Sequence, residues 1–339
     1  MPFWINFIVA ISAFVISATA GSYLIPMLRR VKAGQPIYEL APERHQSKSG
    51  TPTMGGLMII IATLAAIGIG YAFYSAYLKE NYIQVDSYAF IRLMAGLLFA
   101  LLNALLGFID DYIKIVKKRN LGLRAKQKLV MQFIFAAVFL WALYMLGDTG
   151  TYIYFPFIGY LELSLFYYPL MMLYIVFLTN AVNLTDGIDG LCGSVTIVAS
   201  LSLVTICAAM EIFEYTIFGI ALAGALLGFL VWNLHPAKVF MGDIGSMFLG
   251  GAIVAIGFVT RQHLILALIG IVYVCEALSV VIQVLYFKAT KGKRIFKMSP
   301  IHHHFELSGY SEYKIVITFS TAAIIAGILA NIIYYFTRS

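Results

Sequence analysis

Ten stretches of mainly apolar residues constrain this chain before anything else, near 3–28, 54–78, 89–109, 129–147, 167–183, 190–209, 212–231, 244–260, 263–287 and 315–336. Each approaches the roughly 20 residues that a helix needs to cross a hydrocarbon core. Backbone polar groups in lipid must be satisfied within their own segment, so such runs predict helices. Of the 339 residues, 61% are hydrophobic and only 12% are charged. A soluble domain carries about 25% charged residues, so this surface suits lipid better than water. The expected class is an all-α polytopic membrane protein with about ten transmembrane helices, forming one integral membrane domain over 1–339.

Lysine and arginine set the orientation. With loops near 29–53, 110–128, 184–189, 232–243 and 288–314 on one side, that side holds all 23 basic residues except Lys79, Arg92, Arg261 and Arg338. The positive-inside rule makes it the cytoplasm and, with an even number of spans, puts both termini outside. The net charge of +7 then reads mainly as topology, compatible with anionic headgroups or an anionic substrate; nucleic acid is not an expected partner. No Lys or Arg precedes the first run, whereas Arg29, Arg30 and Lys32 follow it, which predicts a retained span rather than a cleaved signal. Outside, the aromatic, partly alternating stretch 151–168 predicts a short periplasmic hairpin. Gly224 and Gly228 form a small-xxx-small pair suited to close helix packing. Cys192, Cys207 and Cys275 lie in apolar runs without metal-type spacing and read as structural.

The chemistry gathers at the cytoplasmic helix ends. Five aspartates sit there: Asp110, Asp111, Asp186, Asp189 and Asp243. One alone would be a solvated helix end; several drawn together by short loops need a cation. Asp110-Asp111 closes the third run, and Lys114 follows at helical spacing from Asp110. Paired carboxylates suit metal binding together with proton or phosphate handling. Asn183-Leu-Thr-Asp186-Gly-Ile-Asp189-Gly190 packs two carboxylates, an amide and two glycines between spans, too short for a calcium EF-hand. Asn233 and the turn His235-Pro-Ala-Lys-Val-Phe240-Met-Gly-Asp243 offer a further carboxylate and a ring able to stack.

His302, His303 and His304, followed by Phe305-Glu306, favour phosphate or substrate contact over zinc, since consecutive histidines seldom ligate one ion and no cysteine supports it. Lys48-Ser-Gly-Thr-Pro-Thr53-Met-Gly-Gly56 offers amides and a lysine to a phosphate without being a Walker sequence. Lys117, Lys118, Arg119, Arg124, Lys126 and Lys128 add a basic stretch. Glu276, inside the ninth run, is costly in lipid and so a functional candidate. Oxygen ligands beside phosphate-binding groups favour Mg²⁺. The reaction class that fits is phosphoryl transfer between a soluble nucleotide compound and a membrane-held lipid phosphate.

Five motifs narrow this. Lys48 to Gly56, Asp110-Asp-Tyr-Ile-Lys114, Asn183 to Gly190, Phe240-Met-Gly-Asp243 and His302-His-His-Phe-Glu306 together resemble the phospho-N-acetylmuramoyl-pentapeptide transferase (translocase I) family. That family lies within the polyprenyl-phosphate N-acetylhexosamine-1-phosphate transferase superfamily. The paired aspartates mark the superfamily, while the triple histidine and Thr-Pro-Thr-Met-Gly-Gly mark the muramoyl-pentapeptide branch. The resemblance implies transfer of phospho-MurNAc-pentapeptide from its UDP carrier to undecaprenyl phosphate, giving lipid I and UMP at the bacterial inner membrane in peptidoglycan synthesis. It further implies Asp243 as the main Mg²⁺ ligand, with Asp110 and Asp111 as the catalytic pair and further candidate ligands. Lys48, Lys114, Lys126 and His302 to His304 would hold phosphates, with Thr53 in the substrate site. Asn183, Asp186, Asn233 and Phe240 would line the uridine and sugar region, in a homodimer. A sister enzyme using UDP-GlcNAc would share the aspartates and lack the histidine motif; a lipid or solute transporter would need more charge deep in its spans than Glu276 and Arg92.

Overall fold

The computed structural model describes residues 2–30, 50–83, 88–117 and 121–338. Its helices are α1 (Phe3–Arg30), α2 (Gly56–Glu80), α3 (Ala89–Val116), α4 (Ala125–Met145), α5 (Tyr167–Thr185), α6 (Leu191–Ala209), α7 (Phe213–Asn233), α8 (Gly242–Phe258), α9 (His263–Ile269), α10 (Ile271–Ala289), α11 (Ile301–Glu306) and α12 (Glu312–Thr337). Among the described residues, nine helices are long and apolar enough to cross a membrane, and α8 is a shorter apolar one. This matches the expected all-α polytopic class.

Three boundaries differ from the sequence reading. α3 continues past residue 109 to Val116, and α4 begins at Ala125 rather than near 129. Charged residues had marked the ends of those runs, yet polar contacts keep the charges inside helices. The ninth run divides at Gly270 into α9 and α10, where the residue with little helix preference sits. Beside α9, β1 (Tyr152–Phe155) and β2 (Gly159–Glu162) form the predicted hairpin, with Tyr152 opposite Glu162 and Tyr154 opposite Tyr160.

α8 is the centre of the bundle: every residue in it except Asp243 is buried. Surrounded by protein rather than lipid, it is rich in glycine, and its neighbours approach its backbone. A Cβ on Gly56 at the start of α2 would lie 2.2 Å from Gly245 Cα, and one on Gly107 of α3 would lie 2.2 Å from the Asp243 carbonyl oxygen. Gly224 and Gly228 of α7 face the α1 backbone at Ala10 and Phe14, so this small-residue pair packs two helices of one chain. Small residues and dispersion contacts take over where lipid leaves no hydrophobic drive for helix association.

Candidate active site

Because α3 runs to Val116, Asp110, Asp111 and Lys114 are projected from one helix end. Asp243 enters from the first turn of α8, where the helix dipole favours a carboxylate. The turn ahead of it needs Gly242, whose φ is +74°; a Cβ there would lie 2.6 Å from Asp111 Oδ2 and 2.7 Å from Thr53 Oγ1. The adjoining loop is stitched down by backbone bonds. Phe240 N–H donates to Pro52 O (2.8 Å), Gly55 N–H to Phe240 O (2.9 Å) and Gly56 N–H to Met241 O (2.9 Å).

Lys114 Nζ is the hub: it lies 2.7 Å from Asp110 Oδ2, 3.6 Å from Asp111 Oδ1 and 3.0 Å from Asp243 Oδ2. Lys128 Nζ lies 3.2 Å from the same Asp243 oxygen and 3.5 Å from Asn183 Oδ1. Asn183 Nδ2 donates to Asp243 Oδ1 (3.1 Å) and to Ser246 Oγ (2.7 Å). Ile244 N–H donates to Asp111 Oδ2 (3.1 Å), and Leu123 N–H to Asp110 Oδ1 (2.8 Å). Asp110 and Asp111 are both buried. Three carboxylates converge here because two ammonium groups and several amide donors offset their repulsion.

The donor set fits a hard divalent cation. One carboxylate oxygen from each of Asp110, Asp111 and Asp243 lies within 4.8 Å of the other two. Asp111 Oδ1 and Thr53 Oγ1 are both buried without a hydrogen-bond partner among the described residues, an arrangement that a ligand oxygen or cation would complete. Thr53 thus lies against the cluster, whereas Lys48 falls outside the described residues. Half-buried Phe240 stands at the rim, between the stitched loops.

Asp186 caps the end of α5, partly buried beside the cluster. Burial first, then the charges of Asp243, Asp111 and Asp189, push its carboxyl up to about 8. Asp189 turns elsewhere. Its Oδ2 pairs with His235 Nδ1 (3.0 Å) and accepts from Ala237 N–H (3.0 Å), while its N–H donates to Glu312 Oε2 (3.1 Å). Those bonds tie the turn to the start of α12, a second acidic group separate from the first.

Two expected residues have different placements. Asn233, read as lining the uridine and sugar region, is buried. Its Oδ1 accepts from Gly190 N–H (3.1 Å) and its Nδ2 donates to Val239 O (2.9 Å). Both ends of its amide fasten one loop to another, so it is a brace for the site. Lys126 is exposed and makes no ion pair with the cluster, whereas Lys128 does. Two positions along a helix are about 200° apart, so the two lysines leave α4 on opposite sides. The start of α4 decides which one turns inward. A signal was present in the sequence: Gln132, a polar residue within an apolar run, lies one turn beyond Lys128 and is also buried.

The histidines divide their contacts. His302 is fully buried against Glu276, His303 Nδ1 is 3.0 Å from Glu306 Oε2, and His304 Nδ1 accepts from Lys297 N–H (3.1 Å). Residues that the sequence reading did not place at the cluster are Lys128, Ser246 and the Leu123 amide. Ser246 follows Asp243 at helical spacing on α8, whereas Lys128 and the Leu123 amide arrive from another helix and its preceding loop, and their distance from Asp243 and Asp110 along the chain does not reveal the contact.

The family model described as glycosyl transferase family 4 matches residues 93–261, which include all three clustered aspartates. The first phospho-N-acetylmuramoyl-pentapeptide-transferase signature matches residues 48–60. A phospho-N-acetylmuramoyl-pentapeptide-transferase of Halalkalibacterium halodurans is 47% identical over 94% of each chain. Its namesake from Bacillus subtilis is 46% identical over 93% of this chain and 94% of its own, and that from Desulfitobacterium hafniense is 43% identical over 97% of each. With such identity along nearly the whole length, and with the signature residues leading into the carboxylate cluster, this chain belongs to the phospho-N-acetylmuramoyl-pentapeptide transferase family.

Proposed function

We propose that this protein transfers phospho-MurNAc-pentapeptide from UDP-MurNAc-pentapeptide to undecaprenyl phosphate, yielding lipid I and UMP for peptidoglycan synthesis. The observation that carries the reading is the union of three carboxylates and two lysines at the ends of apolar helices. There a soluble diphosphate and a lipid phosphate can meet. The excess of Lys and Arg in the sequence segments between those helix ends supports a cytoplasmic active site with both termini outside, and the family's bacterial sources support the inner membrane.

The acceptor is already an anionic nucleophile, so direct attack needs no covalent enzyme intermediate. A lipid phosphate oxygen attacks the phosphorus that bears the sugar. The new P–O bond forms as the bond from that phosphorus to the UMP oxygen breaks, and UMP leaves with the electron pair. A carboxylate of the Asp110–Asp111 pair takes the remaining proton of a monoanionic acceptor. Lys114 and Lys128 hold phosphate oxygens and limit repulsion between the two anions. Mg²⁺ held by Asp243, with Asp110 and Asp111 as further ligands, would neutralise charge developing on the phosphates. Lys48, Lys126 and the histidines belong to the same phosphate-binding set, and Phe240, Asn183 and Asp186 to the uridine and sugar side. Asn233 supports that side through its loops.

The test is UMP release by detergent-solubilised protein given both substrates and Mg²⁺. UMP should appear only with all three present and vanish in Asp243→Ala. Activity with UDP-GlcNAc in place of the muramoyl donor would assign the chain to the sister specificity instead. UMP released in one burst from donor alone, with label kept on protein, would overturn direct attack. The expected homodimer is checked by mass measurement in detergent; a monomer of full activity would remove it.

A further inference from the structure

Glu276 remains without a role in that chemistry. It lies within α10, fully buried, and a carboxylate in such a place is expensive unless something needs it. Both of its oxygens serve one residue. Oε1 is 3.0 Å from His302 Nδ1, and Oε2 accepts from the His302 backbone N–H at 3.4 Å. The second bond satisfies an amide at the start of α11, which the short helix leaves open. The pair therefore fixes both where the His302 backbone sits and which way its ring faces.

A carboxylate on Nδ1 also selects the proton. Nδ1 must carry hydrogen, since the hydrogen bond at one ring nitrogen sets the state of the other. Nε2 is left as the addressing atom. It is buried, finds no hydrogen-bond partner among the described residues, and points at the turn after Asp186: a Cβ on Gly187 would lie 2.1 Å from it. Gly187 thus gives the ring room to stand against the turn, and Asp186 beside it senses the charges of Asp243 and Asp111. Contacts therefore run from inside α10 to the Gly187 turn, and the charge of the carboxylate cluster reaches Asp186 in that turn.

We propose that Glu276 is a positioning residue: it clamps His302 in the Nδ1–H form, so that the buried ring stands with Nε2 against the Asp186–Gly187 turn and holds that turn in place beside the donor's diphosphate-sugar. This rests on the transferase reading above, with the Asp186–Gly187 turn on the donor side. Glu276 itself touches no substrate.

Six histidines are present in the chain, and ring ¹⁵N spectra of histidine-labelled protein, with His302→Ala to identify the signal, report the tautomer directly. In the wild type the His302 signal should be that of an Nδ1–H ring. In Glu276→Leu it should lose that character. With UDP-MurNAc-pentapeptide and undecaprenyl phosphate, Glu276→Leu should lower kcat/KM for the donor by about tenfold to a hundredfold, as loss of a hydrogen bond to a charged group predicts. The KM for the lipid acceptor should stay within about twofold, because the clamp acts on the donor side. Glu276→Gln keeps an acceptor oxygen and should recover part of the loss; it carries the same test if the leucine variant does not fold. In a His302→Ala background either change should add less than about twofold, the mark of action through His302.

An equal loss in that background would overturn the proposal, as would an Nε2–H ring in the wild type. A wild type inactive on this donor would remove the functional reading instead. The tautomer would then decide the clamp alone, Nδ1–H supporting it and Nε2–H refuting it.

Discussion

Gly107→Ala should damage the active site while adding only one methyl group. Gly107 lies on α3 one turn before Asp110 and Asp111, where α3 crosses the first turn of α8. The new Cβ would lie 2.2 Å from the Asp243 carbonyl oxygen, 2.5 Å from its carbonyl carbon and 2.7 Å from Ile244 N. All three are backbone atoms of a buried helix start, so no side chain can swing aside. Carbon and oxygen in close contact sit about 3.3 Å apart, so α3 and α8 must separate locally by about 1 Å. Overpacking of this kind costs about 1–3 kcal/mol. The same shift separates Asp110, Asp111 and Lys114 from Asp243, where Lys114 Nζ now lies 3.0 Å from Asp243 Oδ2. A misplacement of about 1 Å can lower a rate about a hundredfold. The assay is UMP release per folded molecule, with thermal unfolding in detergent recorded beside it. Gly68→Ala is the control: nothing lies within 4 Å of its Cβ, and alanine within α2 should be neutral or stabilising by up to about 1 kcal/mol. If Gly107→Ala keeps activity within about twofold at unchanged stability, the close α3–α8 crossing does not hold the cluster and the reasoning fails.

Lys128→Met removes the ammonium 3.2 Å from Asp243 Oδ2 and should lower kcat/KM by about tenfold to a hundredfold. Lys126→Met, on the exposed side of α4, removes a phosphate contact but no partner of Asp243 and should cost less than Lys128→Met; a larger loss than in Lys128→Met would refute the assignment by helix phase. For Asp186, the carboxyl is pushed up to about 8, so the folded chain keeps a proton that the unfolded chain has lost. The resulting stability is full below the ordinary carboxyl range and disappears as pH rises through about 8. Between pH 7 and 9 the loss is about 1 kcal/mol, seen as a falling melting temperature in the presence of chelator. Asp186→Asn should remove that part of the fall, and an unchanged profile would show that Asp186 is already ionised.

The sequence by itself determined the class of this protein. Runs such as 212–231 and 244–260 satisfy their backbones only as helices in lipid, and the residues that cannot enter lipid are left at their ends. That is why Asp110, Asp111 and Asp243 stood out, and why the hairpin near 151–168 was visible from its aromatic alternation. These are local properties, set by neighbours in the chain. Tertiary structure decided the rest, because each decision depended on a partner far along the sequence. α3 continues through Asp110 and Asp111 since Lys114 and the amides of Leu123 and Ile244 balance their charge. Lys128 rather than Lys126 meets Asp243 through the phase of α4. Asn233 becomes a brace because Gly190 and Val239 reach its amide first. Glu276 finds its counterpart in His302 across two helices. Apolar patterning tells each helix to form; where its polar atoms are satisfied, and hence what they do, follows only once the helices have packed.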